Sequence, residues 1–159
     1  MAKLTNIIVH CSDSTFGSAA LIRQWHLERG WKDIGYHFVI SNGKPASDLT
    51  IPRMDGNIET GRAINGDSLI SGNEIGAHAL GYNDKSIGIC LIGVQSFSVA
   101  QMQSLEELVT ELCIRFKIPS SAVLGHYETA QAGGKTCPNF DVSKLRTIVE
   151  SKLKTGANQ

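Results

Sequence analysis

The hydrophobic positions along the chain alternate between short apolar runs and longer helical stripes. Residues 6–12 (NIIVHCS) read as a buried strand that ends near a histidine. Residues 35–41 (GYHFVIS) form a second run, rich in aromatic and β-branched side chains. Residues 86–93 (SIGICLIG) are apolar nearly throughout, as expected of a central strand covered on both faces. Residues 57–63 predict a short strand and AVLGH a last one. Between these runs the period changes. Leu21, Ile22 and Trp25 stand at helical spacing within residues 18–29, with Gly30 following as a helix stop. Ser98 and Gln101 make a capping box. Behind it a helix is expected to run to about Lys117, with Met102, Leu105, Leu108, Val109, Leu112 and Phe116 on one broad stripe and Pro119 as the stop. Asp141 caps a closing helix with Val142, Leu145, Ile148, Val149 and Leu153 facing inward. Residues 155–159 read as a frayed tail.

Strands interleaved with helices define an α/β class. At 159 residues, with no repeat and no linker, a single domain spanning 1–159 with a core over about 5–153 is expected. The gap between the strands at 57–63 and 86–93 is rich in Gly, Asn and Asp, and residues 64–84 read as a long surface loop of the kind that carries function.

Charge changes the picture by exclusion. Fifteen basic and fifteen acidic residues cancel, so nothing draws the chain to nucleic acid or to an anionic membrane. The N-terminus lacks the apolar core of a signal peptide, and no apolar run approaches a membrane span. A cytoplasmic origin is expected, which argues against pairing the four cysteines as disulfides.

The cysteines sort by context. Cys90 lies inside an apolar strand and Cys113 beside a helical stripe, so both read as small core residues. Cys11 follows His10 on a strand, so the two point to opposite faces and do not share a metal. Cys137 lies in the loop GHYETAQAGGKTCPNF, next to Pro138 and two residues after Lys135. On its own it is equally a packed loop thiol or a ligand. Among the histidines, His26 reads as a surface or half-buried helix residue and His37 as a core histidine. His10 ends a strand where clefts form, His78 lies in the long loop, and His126 follows a short apolar run. No zinc-finger spacing is present. Three ligands from three separate segments would instead be a catalytic arrangement, with the fourth position open.

Four motifs in order, IIVHCS, IRQWHLERGWKDIGYHFVI, IGAHALGYNDKSIGICLIG and GHYETAQAGGKTCPNFD, resemble the zinc-dependent N-acetylmuramoyl-L-alanine amidases of the phage-lysozyme and peptidoglycan-recognition type. The resemblance covers about residues 5–146 and is nearest to the lysozyme-amidases of T-odd coliphages. It implies a central mixed β-sheet flanked by helices, with one zinc ion per chain in a surface groove. It also implies His10, His126 and Cys137 as the zinc ligands and Tyr36 and Lys135 as catalytic residues. His78 and Asn83 fall where the family lines its substrate groove. Glu128, two residues after His126, is either a catalytic base or a holder of its loop, and the family pattern favours the second.

The resemblance implies peptidoglycan as substrate, through both glycan strand and stem peptide, and a phage RNA polymerase as a further partner. It also implies a monomer held in the host cytoplasm until the membrane is permeabilised. The rival readings are a cytoplasmic muropeptide amidase and a non-catalytic module that binds peptidoglycan or inhibits an RNA polymerase. Two segments depart from the family pattern: residues 43–56 look inserted, and the loop over 127–136 looks longer.

Overall fold

The computed structural model describes residues 2–157. Its centre is a five-stranded mixed sheet built from β2 (Asn6–Cys11), β3 (Phe38–Asn42), β4 (Asp55–Thr60), β6 (Ser86–Leu91) and β7 (Val123–Gly125), in the order β4-β3-β6-β2-β7. β2, β3, β6 and β7 run parallel where they pair, and β4 closes one edge as the antiparallel arm of a hairpin with β3. The apolar run at 86–91 is the middle strand, with all six residues buried. That position explains why it lacks the polar alternation of a half-exposed strand. A two-stranded ribbon of β1 (Ala2–Lys3) and β5 (Leu69–Ile70) lies apart from this sheet.

Three helices cover the sheet. α2 (Val99–Phe116) and α3 (Val142–Ala157) pack on one face, where Ile7, Val9, Ile87, Ile89 and Leu91 meet Leu105, Leu108, Val109, Leu112, Val142, Leu145 and Val149. α1 (Ala19–Glu28) covers part of the other face, where Ile22 and Ile34 pack with Val39, Cys90 and Ile92. The capping box of Ser98 and Gln101 is present, and Ser18 caps α1 by accepting from the Leu21 N–H. Each such cap contributes about 1 kcal/mol. Gln101 is itself buried, and its amide donates to the carbonyls of Ile40 and Ile92, joining helix to sheet.

Several boundaries differ from those expected. β3 begins at Phe38; ahead of it the Gly35, Tyr36 and His37 carbonyls accept from the N–H groups of Ala77, Arg62 and Gly61. The fourth strand is shifted to 55–60. The long segment 64–84 holds β5 and a 3-10 turn at Gly72–Glu74. The end of α2 falls where expected, at Phe116 with Lys117 as a left-handed cap. Ile148 is 38% exposed, at the margin of the α3 stripe. The C-terminal segment is helical through Ala157, and positions 158–159 of the expected tail lie outside the described residues. Residues 43–56 form the connection between β3 and β4 and the first two residues of β4, and none of them lines the groove described below.

Candidate metal centre and active site

Strand periodicity decides which face carries chemistry. His10 pairs in register with Cys90, and Ile8 with Gly88, so these residues and Ser86 share the face that α1 covers incompletely. His10 is 1% exposed there. His126 follows β7 in a 3-10 turn, His126–Glu128. Glu128 holds that turn: its carboxylate accepts from the Gly125 N–H at 2.9 Å and from Arg146 of α3 at 2.7 Å. Burial raises the Glu128 pKa, but the Arg146 hydrogen bond and the Gly125 N–H outweigh it, and the group stays below the ordinary carboxylate value. The ion pair with Arg146 on the α3 side fits the loop-holding alternative for Glu128.

The segment bearing Cys137 is tied to both neighbours. Its carbonyl accepts from the Tyr127 N–H at 3.0 Å, and its Sγ accepts from the Cys11 N–H at 3.0 Å. The donor atoms of His10, His126 and Cys137 all lie within 4.8 Å of one another. Two metal–ligand bonds of about 2.0–2.3 Å reach across nearly that separation. Two imidazoles and a thiolate are a donor set suited to zinc, and three protein ligands leave one position open. Cys11 is not a member of this group, although it lines the same groove and its thiol lies against Cys137.

Electrostatics fits neutral imidazoles. Burial, reinforced by His78, His126 and Lys135, holds the His10 pKa well below its ordinary value. Burial and then Lys135 lower that of His126. The Cys11 and Cys137 thiols touch and cannot both ionise; their contact holds Cys11 down to about 7 and pushes Cys137 up. A cation held by the two imidazoles would reverse that preference, because it would sit against the Cys137 sulfur.

The other expected residues gather around this centre. The Tyr36 ring lies 5.1 Å from the His10 ring. Burial, with Cys90 and Cys137 nearby, raises the Tyr36 pKa well above its ordinary value, so the phenol keeps its proton. Lys135 is exposed and lines the same groove. It follows Gly133 and Gly134, both at positive φ (63° and 83°), in a turn closed by its N–H on the Ala132 carbonyl. Only glycine takes two successive left-handed positions without strain, so the pair aims the lysine. The groove has a volume of about 500 Å³. His78 and Asn83 line it, but the Asn83 amide oxygen is also occupied by the N–H groups of His78 and Ala79.

Of the two remaining histidines, only His26 departs from its expected place. His37 is a core residue as expected: it accepts from the Gly88 N–H and donates to the Glu74 carbonyl. His26 is 6% exposed rather than a surface residue, because Trp31 and Gly35 fold back over it and the Gly35 N–H donates to its Nδ1. His26, Arg29 and Trp31 form a groove wall that sequence reasoning did not select. The available signal was a tryptophan, 37% exposed, directly after a helix-ending glycine.

A mixed sheet with a His/His/Cys cluster able to hold a metal, set in a groove, is an arrangement suited to an α/β metallohydrolase. Comparison narrows it. The family model described as N-acetylmuramoyl-L-alanine amidase matches residues 1–140. The endolysin of Enterobacteria phage T3 is 38% identical over 149 residues, covering 87% of this chain and 82% of that one. Among solved structures, N-acetylmuramoyl-L-alanine amidase LysC from Clostridium intestinale superposes with a TM-score of 0.70 at 26% identity, covering 92% of this chain and 85% of its own. A mutant of Drosophila PGRP-LB in complex with tracheal cytotoxin gives a TM-score of 0.64 at 30% identity, covering 87% of this chain and 76% of its own. The chain belongs to the N-acetylmuramoyl-L-alanine amidase family. No described helix is long and apolar enough to cross a membrane.

Proposed function

We propose that this amidase is an endolysin that hydrolyses the bond between the lactyl group of N-acetylmuramic acid and L-alanine in peptidoglycan, using one zinc ion per chain held by His10, His126 and Cys137. The observation that carries the reading is the convergence of those three donors within 4.8 Å at a groove also lined by Tyr36 and Lys135. When bound, zinc supplies a Lewis acid for the scissile carbonyl and lowers the pKa of water. The chain's own residues do the rest. Lys135 brings a positive charge to the groove, where the oxyanion of the tetrahedral intermediate develops, and one such contact is worth about 2.7–4 kcal/mol. Tyr36, fully protonated and beside His10, donates a hydrogen bond to the same developing charge. His78 and Asn83 contribute to the wall that positions the stem peptide.

Mass spectrometry of digested sacculi tests this reading. The expected product is an intact stem peptide with a free N-terminal L-alanine. Cleavage within the glycan or within the stem would contradict it. The same reading places the protein in the host cytoplasm until the membrane is permeabilised, as a monomer. It carries a second partner, a phage RNA polymerase, supported by the phage lysozyme resemblance. A pull-down with the cognate polymerase that recovers nothing removes that partner and leaves the amidase untouched.

A further inference from the structure

The ring of His78 is turned inward, to His10. His78 Nδ1 lies 2.9 Å from His10 Nε2, and His78 Nε2 lies 3.3 Å from the hydroxyl of Ser86. The direction of each hydrogen bond follows from the far end of the row. The Ser86 hydroxyl donates its one proton to the Tyr82 carbonyl at 2.7 Å. Its oxygen is therefore left as the acceptor, and the proton between Ser86 and His78 belongs to His78 Nε2. A neutral imidazole carries one N–H, so His78 Nδ1 is an acceptor. The contact with His10 then requires the proton on His10 Nε2. That leaves the lone pair of His10 on Nδ1, an atom with no hydrogen-bond partner among the described residues.

The surroundings hold this row in place. Asn83 fixes the backbone of His78 and Ala79 through two N–H bonds of 2.8 Å. On β6 the His78 ring occupies the space above Gly88, where a Cβ would stand only 2.7 Å from it. Any other residue at 88 would push the ring off His10. Ser86 is itself fully buried, so water does not compete for its oxygen.

We infer that His78 is a positioning residue: the Tyr82–Ser86–His78 row fixes the tautomer and ring orientation of His10, so that His10 presents Nδ1 to the metal. The inference rests on the metal-centre reading above and adds to it a role distinct from lining the groove. Partners that orient a ligand imidazole are typically worth 10- to 100-fold in metal affinity.

Imidazole 15N–1H correlation NMR of the zinc-loaded protein is the direct test. The expected spectrum has His10 protonated at Nε2 and metal-shifted at Nδ1, with His78 protonated at Nε2. A spectrum with His10 bound through Nε2 overturns the inference while leaving the metal centre intact. Failure of the wild-type chain to take up zinc would overturn both. Zinc affinity measured by chelator competition gives a second readout. His78→Leu is expected to weaken binding by about 10- to 100-fold, and His78→Gln, which can accept from His10 and donate to Ser86, to recover most of it. Equal affinities in wild type and His78→Leu would also overturn the inference. Should His78→Leu fail to fold, the wild-type spectrum still decides.

Discussion

The two faces of the central sheet are built from the same strands by different rules. Toward α2 and α3, Ile7 and Val9 of β2 and Ile87, Ile89 and Leu91 of β6 form a continuous apolar core with the helices. Toward α1, the intervening positions are Asn6, Ile8, His10, Ser86, Gly88 and Cys90, among which His10 meets Tyr36, Ser86 meets His78 and Gly88 meets His37. One side spends its positions on burial. The other accepts buried imidazoles, each of which must find a hydrogen-bond partner or a metal. A strand period of two lets stability and chemistry occupy one segment without sharing a residue.

Perturbing either face should therefore move one property and leave the other. The largest effect is expected at the metal ligands: His126→Ala should lose bound zinc and lytic activity together. Far-ultraviolet circular dichroism should remain native, since α2, α3 and the opposite face are untouched. Lys135→Ala should retain zinc and reduce kcat by about 10²–10³-fold. Full turnover of that variant on purified sacculi would remove the oxyanion role. The pH effect is smaller. Burial holds His37 at about 4 against 6.5 for a free histidine. Its folded pKa is depressed, so its contribution is complete above pH 6.5 and is lost as pH falls toward 4. Going from pH 7 to pH 5 should cost about 2 kcal/mol from this residue, at roughly 1.36 kcal/mol per pH unit below the unfolded value. Urea unfolding at the two pH values, in wild type and in His37→Gln, isolates it as the difference in pH dependence. The smallest effect belongs to the apolar face: Ile89→Val should lower stability by about 0.5–1.5 kcal/mol with zinc content unchanged.

The apolar face was the more legible in sequence. A run such as SIGICLIG or the stripe from Leu105 to Phe116 carries its burial in its own period, because each residue's neighbours are fixed by local geometry. The site face was legible only in part. His10 could be placed at a strand end, but nothing in the spacing brings it to His126 and Cys137. Those neighbours come from the turn after β7 and a loop more than a hundred residues on, and the family resemblance supplies them. His78 shows the limit. From GAHALGYN it reads as a groove residue, and its bond to His10 depends on the packing of a loop onto Gly88. His26 is similar, buried by Trp31 and Gly35 through a turn that periodicity does not describe. The β1–β5 ribbon was missed because two-residue strands have no period to detect.

The account stands on one metal ion at the His10, His126 and Cys137 centre. Elemental analysis of the purified protein beside its Cys137→Ser variant tests it most directly. The predicted result is one zinc per wild-type chain and almost none in the variant, with lytic activity following the metal. A wild-type chain that digests sacculi without zinc, or a Cys137→Ser variant that keeps both metal and activity, would contradict it.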